Sequence, residues 1–409
     1  MALTSGFTGR ANWAVSFRYR DFRLLWGATL MQSLALGMEN VALGWLVLEM
    51  TDSPLMLGVA MAARMAPFFF LGILSGAIAD RVDRRTCLRF ASLAAGIVAL
   101  LTSWVLLADV ARVWHIVLLA CAAGSAFSFT MTIRQSYTYD IVGPQHALNG
   151  LSLGGMAQRA GAVIGGPIAG LVINATGVGE QYLVIAASYM LSGLTLFALR
   201  DVGQSAPTQR DSVWQNLTSY VTLLRENRTL MVLMLLTATT EVFGFTHQTL
   251  LPLFARELGV GEVGLGYMTA IRQAGGVLGL LLLANMGDTK RKGLLTFAAA
   301  AGFGLGQMAF SLGDNLFFFL AMLAFINGCA SMCDTLYKTL MQASVTNDQR
   351  GRAMGSWVLS IGFAPIGHLG VGAIAGVLGG PGALLINGGV LLVASLSAAM
   401  GAPRIRRLE

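Results

Sequence analysis

Charge is what this chain has least of. Asp, Glu, Lys and Arg make up 11% of its 409 residues, against roughly a quarter in soluble globular domains, which excludes water as the solvent of most of its surface. Cysteine is equally sparse. The four present, Cys87, Cys121, Cys329 and Cys333, form no disulfide framework and are expected as free thiols. Cys329 and Cys333 lie one helical turn apart, but no His or third Cys joins them, so no metal site is expected. No phosphate-cradling Gly-rich loop followed by Lys and Ser/Thr occurs, which leaves direct ATP drive unsupported. No compact set of nucleophile, acid and base occurs either, so neither an enzyme nor a cofactor is expected. The start is polar and basic from Arg10 through Arg23, without the short apolar core and cleavage site of a signal peptide.

What the chain does have is apolar length. Hydrophobic residues make up 55% of it, and its mean hydropathy is +0.68. A spanning helix needs about 20 mostly apolar residues. Such runs fall at 24–48, 55–79, 88–108, 113–137, 150–175 and 180–200, then at 230–254, 263–287, 293–313, 316–342, 352–378 and 382–402. The reading is an all-α membrane protein of twelve transmembrane helices. Its 50 glycines would weaken helices in water but let membrane helices approach closely. Small-xxx-small spacings recur at Gly72–Gly76, Gly161–Gly165, Gly275–Gly279 and Gly372–Gly376.

Basic residues set the direction. With the N-terminus inside, only Arg112 and Arg256 of the 27 Lys and Arg residues fall in outer segments, and Arg64, Arg159 and Arg272 lie within spans. This follows the positive-inside rule and places both termini in the cytosol. The pI near 9.5 therefore reflects topology and needs no nucleic-acid partner.

The chain divides into a cytosolic segment 1–23, a six-helix bundle 24–200, a linker 201–229, a second bundle 230–402 and a tail 403–409. Within the linker Val213, Trp214, Leu217, Tyr220, Val221 and Leu224 recur at helical spacing, which reads as an amphipathic helix along the membrane surface. A shift of 208 positions superposes the halves: Gly58 on Gly266, Arg64 on Arg272, Asp80 on Asp288, Arg20 on Arg228. Related halves of this kind place a substrate site between them near the bilayer midplane.

The segment Gly76-Ala-Ile-Ala-Asp80-Arg81-Val-Asp83-Arg84-Arg85 resembles the loop signature between the second and third helices of the major facilitator superfamily. Asp83 stands where that family usually has Gly. Gly287-Asp288-Thr-Lys290-Arg291-Lys292 looks like its degenerate second copy, and Asp348 through Gly355 resembles the signature entering the eleventh helix. Arg134-Gln135, Leu148-Asn149-Gly150 and Gly165-Gly166-Pro167 through Gly170 are similar to the branch holding proton-coupled macrolide and siderophore exporters. The resemblance covers nearly the whole chain. It implies two pseudo-symmetric six-helix bundles, alternating access, and a conformational latch of Gly76, Asp80, Arg81, Arg84, Arg85, Asp288 and Arg134. The plainer role of the loop arginines is to hold anionic lipid.

An ionisable side chain near the bilayer centre costs a few kcal/mol, so each one is a site candidate. Those expected on the substrate or proton pathway are Glu39, Asn40, Arg64, Glu241, His247, Gln248, Arg272, Asp334 and Lys338. Helical rise puts Glu39 and Arg64 at one depth, about 4.5 Å to the outer side of the midplane, and predicts an ion pair. Glu241 and Arg272, about 6 Å apart in depth, offer a second, although His247 is the repeat partner of Glu39. Asp334 and Lys338 share a helix face. His247 and His368 are candidates for a proton role.

These observations point to a secondary transporter in a bacterial inner membrane, acting as a monomer. The leading reading is proton-coupled export of a small amphiphilic organic compound. The alternatives are an importer or facilitator of a small organic anion bound by the intramembrane arginines and, in another class, a membrane sensor that carries nothing.

Overall fold

The computed structural model describes residues 14–79, 83–201, 224–287, 291–346 and 349–406, and among them every regular element is a helix. In hydrocarbon each unpaired backbone polar group costs several kcal/mol, and a helix satisfies them all within one segment. The first half consists of α1 (Arg20–Thr51), α2 (Pro54–Ala79), α3 (Arg84–Leu107), α4 (Val113–Val142), α5 (Ala147–Thr176) and α6 (Val178–Phe197). The second consists of α7 (Arg228–Thr239), α8 (Leu251–Glu257), α9 (Gly261–Asn285), α10 (Lys292–Phe310), α11 (Leu316–Ala343), α12 (Arg350–Ile361), α13 (Ala364–Gly401) and α14 (Pro403–Arg406).

Each of the twelve expected spans falls on helix, but two are not the unbroken rods that hydropathy suggested. The span expected at 230–254 runs as α7, a π-helical turn Thr240–Gly244, a 3-10 stretch Phe245–Leu250 and then α8. The span expected at 352–378 is interrupted between α12 and α13. Conversely α13 runs past the end of that span. It is interrupted at Gly379, whose φ of 72° suits a residue without Cβ. Before Gly379, Gly372 lies on Pro54 and Gly58 at the start of α2; after it, Gly388 lies on Gly304 of α10, and Ile405 lies on Gly293 at the start of α10. The chain therefore reaches one end of the bundle and returns.

The unusual Asp83 has a local job. Its carboxylate accepts from the Arg85 N–H at 3.0 Å and the Thr86 hydroxyl at 2.8 Å, capping the orphan donors at the start of α3. Arg85 and Arg89 donate to carbonyls of residues 196–200, where the C-terminus of α6 leaves acceptors without partners. Asp21 closes the same end, accepting from the N–H groups of Arg200 and Asp201 at 2.8 Å each.

Two expected glycine pairs are helix contacts within a half. Gly161 and Gly165 lie on the backbone of Leu34 in α1, and Gly275 and Gly279 on Ala324 and Gly328 of α11. Gly376 has open space where a Cβ would stand. Between the halves, close approach is concentrated at the end away from the termini. A β-carbon at Gly166 of α5 would stand 2.8 Å from the Gly266 carbonyl oxygen of α9, and one at Gly44 of α1 would stand 2.7 Å from Pro252. Gly170 lies against Glu262, and Gly58 against His368 and Gly372. Asp52 and Arg256 pair across the same end at 2.6 Å. Toward the termini α5 loses these contacts: Gly154 and Gly155 face open space, and Met156, Leu151 and Leu148 are exposed.

Candidate transport pathway

The structure sorts the expected site residues into three groups. The first lies inside the N-terminal half. Glu39 on α1 is buried, and its Oε2 accepts from Arg64 Nη2 at 3.1 Å and from the Tyr189 hydroxyl at 2.7 Å. The Glu39–Arg64 pair expected from depth is therefore present. It faces a cavity among α1, α3, α4 and α6, lined by Glu39, Thr102, Ile116, Ala120 and Tyr182. That position is within one six-helix bundle and not between the two. Asn40 is half-buried. Nearby, Gln32 donates to the Thr130 hydroxyl at 3.0 Å.

The second group surrounds the break between α7 and α8. His247, buried, has Nδ1 2.9 Å from the Gly244 carbonyl and Nε2 3.3 Å from Asn327 Nδ2. Gln307 of α10 donates to the Phe243 and Gly244 carbonyls at 3.2 and 2.9 Å. Asn387 donates to Thr246 Oγ1 at 3.2 Å, and Thr249 Oγ1 lies 2.7 Å from His368 Nδ1. A π turn and a 3-10 stretch free carbonyls that a regular helix would use, and neighbouring helices meet them with polar side chains. Shifted by 208 positions, Glu39 falls on His247, so an amide and imidazole network in the second half corresponds to the ion pair of the first. Gln248 beside it is half-buried.

The third group lies in the C-terminal half, with Arg159 of the other half approaching it at Gly276. Asp334 accepts from Lys338 Nζ at 2.7 Å and from Trp357 Nε1 at 2.8 Å, and Lys338 stands over the Trp357 ring at 4.0 Å. Glu241, half-buried on the π turn, has no cation within ion-pair distance among the described residues. The pair expected between Glu241 and Arg272 is thus absent. Depth fixes the height of a side chain but not the side of the helix from which it leaves, and the π turn changes the helical phase just at Glu241. Arg272 on α9 is buried, and its Nε has no hydrogen-bond partner. Arg159 extends from α5 over the neighbouring half: a methyl group added at Gly276 would meet Arg159 Nη1 at 3.6 Å and Ser331 Oγ at 2.7 Å.

Of the expected latch, Arg84 pairs with Asp140 at 2.7 Å and Arg85 with Asp83 at 3.4 Å, both within their own half. Arg134 is half-buried on α4, and Gly76 lies near the end of α2. Asp80, Arg81, Asp288 and most of the linker 201–229 lie outside the described residues.

Sequence reasoning missed Tyr182, Tyr189, Gln307, Asn327, Asn387 and the Asp52–Arg256 pair. A signal was available for the helix break: Thr237, Thr239, Thr240, Gly244, Thr246 and Thr249 interrupt one apolar run with hydroxyls and a glycine at mid-depth.

The two helical halves thus interlock at the end away from the termini, the kind of arrangement in which transporters place a substrate site between related halves. Residues 11–407 match the family described as transmembrane secretion effector. The chain belongs to that family. The enterobactin exporter EntS of Shigella flexneri is 23% identical over 355 residues, covering 85% of each chain. The staphyloferrin A transporter of Staphylococcus aureus is 22% identical over 346 residues, covering 83% of this chain and 86% of its own. Among solved structures, the nucleoside transporter NupG superposes with a TM-score of 0.75 at 17% identity, covering 94% of this chain and 99% of its own. A D-xylose–proton symporter superposes at 0.73 with 13% identity, covering 92% and 96%. The chain is a multi-pass membrane transporter of the major facilitator superfamily and not an enzyme.

Proposed function

We infer that this protein exports a small amphiphilic organic compound across a bacterial inner membrane by alternating access, with protons as the coupling ion and a single chain as the working unit. The observation that carries the reading is the uneven meeting of the halves. Backbone-close contacts at Gly166–Gly266, Gly44–Pro252 and Gly58–His368 seal the end away from the termini, while α5 opens from its neighbours toward the termini. The Lys and Arg distribution assigns the terminal end to the cytosol, which makes this conformation inward-facing and loaded from the cytosol. The enterobactin exporters among the relatives support export as the direction.

Glu241 is the favoured proton carrier. It sits, half-buried, at a break in the helical backbone and has no ion-pair partner among the described residues. Glu39 is held by both Arg64 and Tyr189 inside one bundle, where its role is to fasten helices. Reconstitution into liposomes with an imposed pH gradient tests the reading. Candidate amphiphiles should accumulate against their gradient only when the proton gradient opposes them. A protein that moves no solute under any gradient would instead be the membrane sensor.

A further inference from the structure

Lys338 of α11 is held as a ligand would be. Its Nζ meets Asp334 Oδ2 at 2.7 Å and stands 4.0 Å from the centre of the Trp357 ring. The indole N–H of the same tryptophan donates to Asp334 Oδ1 at 2.8 Å. A carboxylate fixed by an indole, with the ring face beside it, is a receptor for an organic cation, since both groups attract an ammonium. Neither member of the ion pair is sealed in: the Lys338 and Asp334 side chains are 32% and 29% exposed.

The face of α11 that carries them is turned to the other half. Arg159 of α5 and Ser331 of α11 meet at Gly276, where an added methyl group would stand 3.6 Å from Arg159 Nη1 and 2.7 Å from Ser331 Oγ. Asp334 and Lys338 follow Ser331 on that face at the next two turns, and Asp334 is the charged neighbour of Arg159. Lys338 also has a second carboxylate within its reach. The Tyr337 hydroxyl lies 3.3 Å from Thr240 Oγ1, which fastens the π turn to α11 at the level of Lys338. Glu241, the next residue on that turn, accordingly has Asp334 and Lys338 as its charged neighbours. The other titratable groups there are Tyr337 itself and the Cys333 thiol beside Asp334.

We propose that Asp334 and Trp357 form a cation subsite in the pathway, which takes the ammonium head of an amphiphilic cargo when Lys338, its tethered occupant, moves over to Glu241. Glu241 draws Lys338 away only when ionised, so a proton on Glu241 returns Lys338 to Asp334 and displaces the cargo. Charge balance agrees with this. With all four groups ionised, Asp334 and Glu241 cancel Lys338 and Arg159. Adding either one proton or one monovalent cargo cation leaves the cluster with the same single positive charge, whereas adding both would leave two uncompensated charges in the membrane. Proton and cargo therefore exclude each other, as exchange of one for the other requires. The inference rests on the exporter reading for the proton carrier and for calling the ligand cargo.

The test uses the full-length protein and three probes that share a naphthalene ring: (2-naphthylmethyl)trimethylammonium, whose charge does not change with pH, 2-naphthylmethanol and 2-naphthoate. Thermal stabilisation at about pH 6 and about pH 8 gives each apparent affinity. The expected result is preference for the cation, with affinity higher at the higher pH because proton and cation compete. Lys338→Met removes the tethered competitor and should bind the cation about tenfold more tightly at the lower pH. Asp334→Asn should bind it about tenfold more weakly at both, the scale of one charged hydrogen bond. Glu241→Gln should hold the affinity at its low-pH level throughout. Both members of the pair are partly exposed, so their variants should fold. An ion pair that only fastens α11 gives the two variants the same sign. Cation affinity unchanged or lowered in Lys338→Met therefore overturns the subsite, as does equal stabilisation by all three probes. Transport in liposomes separates the two readings. A wild type that carries 2-naphthylmethanol and shows no preference for the cation leaves the exporter standing and removes the subsite. One that binds the cation with opposite effects of Lys338→Met and Asp334→Asn, yet moves no solute, does the reverse.

Discussion

Replacing Arg64 by Met would strand Glu39. In the intact protein the Glu39 carboxylate accepts from Arg64 at 3.1 Å and from Tyr189 at 2.7 Å, with Arg64 2% and Glu39 6% exposed. Removing one member of a buried pair costs about 3–5 kcal/mol, because the other charge stays buried without compensation. The Tyr189 hydrogen bond remains and offsets part of this, being worth about 1.5–3 kcal/mol as a bond to a charged group. The net loss expected for Arg64→Met is therefore about 2 kcal/mol. Glu39→Gln should cost a similar amount, since it leaves the guanidinium without its anion. The double variant, Arg64→Met with Glu39→Gln, removes both charges and should recover most of the loss, to within about 1 kcal/mol of wild type. Denaturant-induced unfolding of purified protein in detergent, with all four members of the cycle, measures the coupling directly. If the pair only fastens α1 to α2, the double variant also keeps proton-driven transport. Additive losses in the two single variants would refute the pairing, and loss of proton coupling in a stable double variant would refute the fastening role.

Other perturbations separate the remaining parts. Glu241→Gln should abolish uphill transport driven by a pH gradient while leaving downhill exchange of cargo, measured in liposomes. Arg272→Met should raise the stability of the protein by about 1 kcal/mol, read by denaturant-induced unfolding, since it removes a buried charge without a partner among the described residues. Gly166→Leu should prevent the close approach of α5 to α9 and shift the population toward the outward-open form, read as increased labelling of a cysteine placed at Gly44. Asp52→Ala should change unfolding by less than about 1 kcal/mol, because the Asp52–Arg256 pair is solvent-exposed, while shifting the same labelling in the same direction.

Hydropathy made the spans readable because lipid is a strict solvent: a run of apolar residues has no other stable backbone conformation there. The Glu39–Arg64 pair was readable for a related reason, since two regular helices convert sequence distance into depth. The same arithmetic failed at Glu241 and Arg272. Helix α7 stops at Thr239 and the chain continues through a π turn, so the phase extrapolated from a regular helix no longer holds. That break depends on Gln307, Asn327 and Asn387 from three other helices, contacts that no local pattern encodes. Asp83, a departure from the family signature, is explained by the cap it provides to α3.

The central claim is that the halves rock about a pathway sealed, in this conformation, at the end away from the termini. The most direct measurement replaces the four native cysteines by serine and introduces Asp52→Cys with Arg256→Cys, two exposed positions that pair across the sealed end. Linking them with a short, reducible bis-thiol reagent should hold the seal closed and stop transport in liposomes, and reduction should restore it. Full transport by the cross-linked protein would contradict the account.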